Sequence, residues 1–514
     1  MGGINMLSPA VMQPPTDCVY CYNMTARELG LGPRLGSRQY AGGLDGPVRT
    51  LLSFKGAQVG DDRLFACTQT GIWNVTAGGL APTRVVTFGN QDATSGYGTG
   101  VTTVDLNSGH NLLYTDESNG YYVYAGATAT WVKVTSGGGA QQVSGLDPTK
   151  ACFVMVWKNH VFLVEKNTGY AWYLATFAIY GTAVRFNFGT KFRAGGALVG
   201  LWNCSQSGGL TPADVLVAIS SGGDVVVYGG SGPDQTDFSI AGVWSLGDVP
   251  AGRNIATTFG GDLLVVSARG AVPLSKLLGG AVTNDPGQYA TQKVPTLVQS
   301  LMSAHRTEFG WSVVLSPEDG TLLVLVPNGV GMPTIQLAMS LATHGWSMYR
   351  GLSMTCSAAW NGQLYYGTVD GSVWINTGTV DGVTLADPTS YMPIEFSLLT
   401  SFQAYNTARL KKVELIRTTL LNPGGQLQFQ TKVRYGYDLS EPSPLTYAPI
   451  PQTSGVWDAA LWDSAVWAGD MAAQRGVGGA AGYGPEFAIA FRGQAISKVT
   501  LVGWHVFYNL MGRL

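Results

Sequence analysis

Charge is what this sequence has least of. Of its 514 residues only 12% are Asp, Glu, Lys or Arg, against roughly 25% in an ordinary globular chain. The net charge of −2 is spread without blocks. That excludes a basic stripe for direct nucleic-acid binding and an acidic solvating tail. Cysteine is also scarce: six residues in 514 cannot make a disulfide framework. Cys67, Cys152, Cys204 and Cys356 each sit inside apolar runs, as small hydrophobes do. Only Cys18 and Cys21, in CVYC, have a suggestive spacing. Zinc needs four ligands, and the redox motif needs a strand-to-helix context that this stretch lacks, so the pair reads as structural.

Long hydrophobic runs are missing too. The longest mostly apolar window, 171–184, is too short to span a bilayer. The N-terminus, MGGINMLSPAVMQPP, has no basic segment ahead of an apolar run, which speaks against a secretory signal. The expectation is a soluble protein made in a cytoplasm, with no membrane span.

Catalytic signatures are absent from the sequence as well. The five histidines, His110, His160, His305, His344 and His505, are isolated from one another and from metal-spaced partners. No nucleophile elbow, Walker loop or dinucleotide fingerprint occurs. GLGPRLG at 30–36 has the glycines of a phosphate loop, but no strand precedes it and Pro33 interrupts it. SPEDGTLLVL, 316–325, has part of a sialidase Asp-box, with Ser316, Asp319 and Gly320, yet lacks its closing tryptophan. Glu165, Glu308 and Glu395 are the acids that a propeller mouth could gather for glycoside hydrolysis, which needs a carboxyl pair. The sequence reading is of a chain with no catalytic residue, no cofactor and no metal.

Glycine, by contrast, is abundant at 70 residues, and it is periodic. Turn glycines recur at Gly71, Gly120, Gly169, Gly223, Gly270, Gly320 and Gly371, in steps of 49, 49, 54, 47, 50 and 51 residues. Each lies between strand-like runs, and LFACTQTGIWNVT (64–76) is the pattern for all. A third unit shows the full sequence of four runs: CFVMVW, VFLVE, YAWYL and AVRFNF, ending at 188. Outer runs elsewhere are 84–88, 130–134, 237–244 and 345–350, with 394–399 for the last unit. The fifth unit is the least regular: its outer run is KVPTLVQS (293–300), a poor strand because Pro295 cannot donate to a ladder.

A four-stranded meander repeated every 40–50 residues or so is the signature of a β-propeller blade. Each small sheet has two apolar faces and must be covered on both sides, which a closed ring achieves. The predicted fold is therefore all-β: a propeller of about seven blades over 44–400, or six if the fifth unit does not count. An extended arm, 1–43, without a strand or helix period precedes it. A C-terminal antiparallel β domain, 401–514, follows, with strands at 409–420, 426–439, 486–493 and 496–510. Within it, Trp457, Trp462 and Trp467 repeat every five residues, a step fitting neither helix nor strand. They read either as core of an irregular loop or as anchors for a partner.

Residues 15–76 carry a resemblance. PPTDCVYCYNM with Asn23, the glycine segment Gly32–Gly36, GPVRTL ending at Leu51 and the LFA…GIW hairpin are similar to the opening of tail nozzle proteins of short-tailed bacteriophages, also called tail-stabilisation or lower tail tubular proteins. The Trp-Asp ladder looks like theirs as well. The resemblance implies a non-enzymatic virion protein, assembled in the host cytoplasm as a hexameric ring below portal and adaptor. It further implies attached fibres or spikes, and DNA passing through the channel without sequence-specific binding. The alternative from another class is a carbohydrate-binding or glycoside-hydrolase-like propeller; a cellular scaffold propeller is a third, against which the missing WD and kelch signatures count.

Overall fold

The structure, a computed structural model, describes the chain except residues 1, 11, 28, 208–211, 279–288, 328–334, 423–426, 446–471, 480 and 513–514. Strands dominate because the apolar runs are short, rich in β-branched and aromatic residues, and interrupted by turn residues. Five of the seven aligned glycines, Gly120, Gly223, Gly270, Gly320 and Gly371, take positive φ, a conformation glycine adopts without steric cost. The other two are required by close approach: a Cβ on Gly71 would lie 2.0 Å from the Val86 carbonyl oxygen, and one on Gly169 2.5 Å from the Gly189 Cα.

The repeat folds as a series of small antiparallel sheets. The first contains Thr50–Phe54, Arg63–Cys67, Gly71–Asn74 and Thr83–Thr87; the second Gly98–Val104, His110–Asp116, Gly120–Ala125 and Thr130–Lys133. The third runs Ala151–Trp157, His160–Glu165, Tyr170–Tyr173, Val184–Asn187, and the fourth Leu198–Ser207, Pro212–Ser220, Asp224–Gly229, Ser239–Ser245. The fifth has three strands, Ala256–Phe259, Asp262–Ser267 and Gly270–Pro273. The sixth sheet begins with Ser312–Ser316, Thr321–Leu325, Ile335–Ser340 and Trp346–Arg350. In the seventh, Cys356–Trp360, Gln363–Gly367 and Val373–Asn376 are joined by Ser37–Ala41.

The first strand of each sheet contacts the first strand of the next, and Cys356–Trp360 contacts Thr50–Phe54, so the series returns to its start. An apolar cluster fills each space between successive sheets. Strand alternation makes this possible. In Gly120–Ala125, Tyr122 and Tyr124 pack toward the first sheet with Phe65, whereas Tyr121 and Val123 pack toward the third with Val154.

Four sequence expectations are corrected. Residues 293–300 do not form an outer strand; Pro295–His305 is a helix. Proline at its first turn loses no hydrogen bond there, and Val298 and Met302 supply the buried helical face. The outer strand of the seventh sheet is Ser37–Ala41 instead of 394–399, because Met392–Thr400 pairs with Asp17–Tyr22 and Phe487–Ala495. The arm, read without strand period, forms Gly3–Ile4, Asp17–Tyr22, Met24–Arg27, Gly30–Pro33 and Ser37–Ala41. Its strands are short and mostly pair with distant partners, so no local hairpin rhythm marks them.

Finally, the C-terminal strands lie at the expected places but do not make one separate sheet. Phe487–Ala495 and Leu427–Tyr435 extend the sixth sheet through Asp17–Tyr22 and Met392–Thr400. Thr500–Leu510, Lys411–Asn422 and Ala472–Gly479 form another with the arm strands Met24–Arg27 and Gly30–Pro33. No helix among the described residues is long and apolar enough to cross a membrane.

Candidate functional site

The most heavily organised polar site lies where the arm meets the sixth and seventh sheets and Met392–Thr400. Asn23 stands between two arm strands with φ 55°, the left-handed region that Asn tolerates. Its backbone N–H donates to the Met348 carbonyl at 2.9 Å. Its side-chain amide donates to the Glu395 carbonyl at 2.8 Å, and its Oδ1 accepts from the Arg350 N–H at 2.6 Å. One residue thus joins three segments distant in sequence.

Arg34 completes the junction. Its side chain is 1% exposed. Nε donates to Asn23 Oδ1 at 3.1 Å, and Nη1 to the Leu35 carbonyl at 2.9 Å and Asp381 Oδ1 at 2.9 Å. Nη2 donates to Asp381 Oδ2 at 2.6 Å and to the Arg350 carbonyl at 3.1 Å. A guanidinium has five N–H donors, and all five are spent. The two-pronged contact with Asp381 is the strongest geometry available to an Arg–carboxylate pair. Outward of it, the Arg350 guanidinium lies 3.3 Å from the Tyr22 ring centre and binds Glu441 at 2.8 Å. Asn23, Arg34, Arg350 and Asp381 border a cleft of about 710 Å³ that Asp370, Trp374 and Met392 also line.

A second clasp holds the arm to the hairpin that resembles an Asp-box. Arg27 Nη2 donates to Asp319 Oδ1 at 3.0 Å, and the Tyr349 hydroxyl donates to Asp319 Oδ2 at 2.8 Å. The Asp319 side chain is wholly buried, and that burial raises its pKa despite Arg27 and Tyr349.

The space enclosed by the first strands holds a cavity of about 230 Å³, bordered by Arg49, Tyr97, Asn254, Phe309, Ser312 and Ser357. On one side Arg253 reaches from the chain before the fifth sheet to Glu117 in the second, with two bonds of 2.9 Å. It also donates to the Val199 carbonyl at 2.7 Å, and Lys166 adds a second cation 3.6 Å from Glu117.

The residues singled out in the sequence fare differently. Cys18 and Cys21 lie buried in one cluster, and all six cysteines are free and buried. A hydrogen bond with Cys21 is the main cause that pushes the Cys18 thiol up, ahead of burial. Gly30–Pro33 of the glycine segment is a strand paired with Met24–Arg27. The three glutamates have separate partners: Glu165 accepts from Trp172 Nε1 at 2.9 Å, Glu308 lies 3.2 Å from His305, and Glu395 binds Arg492 at 2.8 Å. His160 is buried, its Nδ1 2.7 Å from the Leu174 carbonyl. Among the described residues no group of three or more His, Cys, Asp or Glu side chains is placed to hold a metal. Trp457, Trp462 and Trp467 lie outside the described residues. The Asn23–Arg34–Asp381 clasp escaped the sequence reading, because Asp381 lies hundreds of positions from Asn23 and Arg34.

These features define a mostly β chain of small antiparallel sheets clasped by its own N-terminal segment. No family model matches the chain, and no curated protein matches it. Among solved structures it is similar to the computationally designed Ika8 protein, at 9% identity and a TM-score of 0.35 over 73% of this chain and all of that one. It is also similar to BBS1N, solved in complex with ARL6DN, at 12% identity and a TM-score of 0.27, covering 43% of this chain and 58% of that one. Likenesses this slight leave the architecture to be argued from the chain's own pairing.

Proposed function

We propose that this chain is a non-enzymatic structural protein of a short-tailed phage virion, a seven-bladed β-propeller subunit of the tail nozzle. In this reading six copies form a ring below the portal and adaptor, hold the DNA exit channel without reading sequence, and carry fibres or spikes. The propeller is supported by the cyclic contacts of the first strands and by the apolar clusters between successive sheets. The arm strand Ser37–Ala41 would close the ring by completing the last blade beside the first, an arrangement that leaves only short sheet edges.

The observation that carries the functional reading is where the resembling residues lie. Asn23 and Arg34, inside the stretch that is similar to nozzle proteins, are the two residues on which the arm junction turns. A chain with 12% charged residues also suits a subunit that buries much surface against copies of itself.

Electron microscopy of the purified protein, alone and with portal and adaptor proteins of its phage, tests the proposal. The expected result is a closed ring with a channel that admits duplex DNA, and the chain in purified virions by mass spectrometry. Virions that lack the chain would overturn the reading.

A further inference from the structure

A cleft of about 920 Å³ opens between the two C-terminal sheets, within the size of small-molecule sites, roughly 300–1,000 Å³. Tyr405, Trp504 and Tyr508 border it, together with Gln403, Asn406 and Glu486. Tyr405 is 41% exposed, and its ring stacks on Phe487, centroids 4.7 Å apart and planes 25° apart. An aromatic ring held by Phe487 and Tyr508 and partly open to solvent is a platform for a flat apolar face.

The polar groups are equally specific. The Asn406 amide has no hydrogen-bond partner among the described residues, and Tyr405 and Asn406 both sit at positive φ, 44° and 61°. They are the central residues of a turn closed by the Thr407 N–H donating to the Ala404 carbonyl at 3.1 Å, which holds both side chains at the rim. Trp504 Nε1 is buried without a protein partner. Behind the wall the Lys411 ammonium donates to the carbonyls of Thr407 at 2.6 Å, Arg409 at 3.2 Å and Pro485 at 2.5 Å. That amine ties the two rims, 404–409 and 485–486, into one fixed shape before any ligand arrives, which lowers the cost of binding.

We propose that this cleft binds a neutral oligosaccharide. A pyranose presents an apolar C–H face, which Tyr405 would stack against, and a rim of hydroxyls, which act as both donors and acceptors. The Asn406 amide supplies donors and an acceptor, and Glu486, whose Oε2 already accepts from the Tyr437 hydroxyl, supplies an acceptor through its other oxygen. Neutrality follows from the local charge. Glu486 and Asp17 border the cleft, while Lys411 is spent on carbonyls and Lys293 on Asp17 at 2.9 Å. None of the described residues that border the cleft is a cation that could offset an acidic sugar. The site is separate from the small sheets of the repeat and does not depend on the nozzle reading.

The test is calorimetry and thermal melting of the full-length protein with a panel of neutral gluco-, galacto-, manno- and N-acetylglucosamine oligosaccharides at millimolar concentration. At least one should bind and raise the Tm. Tyr405→Ala should weaken that ligand about tenfold. Asn406→Gly, which keeps the positive φ and removes only the amide, should weaken it about three- to tenfold. If Tyr405→Ala fails to fold by circular dichroism, Asn406→Gly decides alone. A flat response across the panel, wild-type affinity in the decisive variant, or preference for sialylated over neutral glycans would overturn the proposal.

Discussion

The second and third sheets and the arm junction are built on opposite plans. In the former, every ladder joins neighbours in sequence, and the faces between sheets are filled by Leu113, Tyr121, Val123, Val154 and Leu163, all buried. At the junction, residues hundreds of positions apart meet through buried polar groups: Arg34 with Asp381 and Arg27 with Asp319 as ion pairs, and the Asn23 amide with the Glu395 carbonyl. The first plan tolerates local error, since an apolar face accepts many packings. The second is all-or-none, because a buried ion that loses its partner retains the full desolvation cost.

The largest effect expected from that contrast is at the clasp. Asp381→Ala leaves the Arg34 guanidinium buried with two N–H groups unpaired, and it should cost about 3–5 kcal/mol, read as a drop in denaturation midpoint. Replacing both partners by apolar residues, Arg34→Met with Asp381→Leu, should recover only part of the loss, because Asn23 Oδ1 and the Leu35 and Arg350 carbonyls then lose their donor. A double variant as unstable as the single one would show that the charge pair is not what the junction depends on.

In the small sheets the expectation is comparable size but simple addition. Leu113→Ala, between the second and third sheets, and Leu216→Ala, between the third and fourth, should each cost about 2–5 kcal/mol. Because they lie in different apolar clusters, their double variant should be additive within about 0.5 kcal/mol. Asn23→Ala with Asp381→Ala should deviate from additivity, since both act through Arg34. Strong coupling between the two leucines would erase the distinction drawn here.

A smaller, cleaner comparison uses two buried tyrosines. The Tyr349 hydroxyl donates to Asp319 and meets Thr25, so Tyr349→Phe should cost about 1–3 kcal/mol by stripping a buried carboxylate of a donor. The buried Tyr122 hydroxyl has no protein partner, and Tyr122→Phe should be neutral or slightly stabilising. Thermal melts of the two variants give the ranking directly, and equal losses would contradict it.

The same contrast explains what the sequence disclosed. Turn glycines and the strands of the first four sheets are legible because their pairing is local and turn residues separate short apolar runs. The fifth sheet was obscured where Pro295 opens a helix, a reversal visible only once Val298 and Met302 are seen to share a buried face. The seventh sheet was misread because its outer strand, Ser37–Ala41, comes from the other end of the chain. No window of sequence around residue 376 contains that information. Asn23 and Arg34 drew notice only through the resemblance of their stretch, since neither residue type has a spacing rule for a clasp of this kind.

Acid titration separates the regions by sign, with the smallest effect. Ser118 Oγ at 2.6 Å, with Thr94 and the Ser95 N–H, holds the Asp92 carboxyl down from its ordinary 3.8 to about 2. Asp105 and Asp62 are lowered as well, by backbone and side-chain donors that outweigh their burial. A carboxylate whose folded pKa is depressed contributes stability above its unfolded value, and loses it as pH falls toward the folded one. The turns of the first two sheets should therefore loosen between about pH 4 and pH 2. Asp319 has the opposite sign: burial raises its pKa, so it gains a proton earlier on acidification, and protonation relieves the cost of burying it. Because Asp92 is exposed, its share should stay below about 1 kcal/mol after screening. Hydrogen exchange followed down the pH scale should show the 92–97 and 105–109 turns opening first, and Asp92→Asn should flatten that limb near residues 92–97 alone. Opening that begins instead at Asp319 would mean that the junction, not the turns, sets the acid limit.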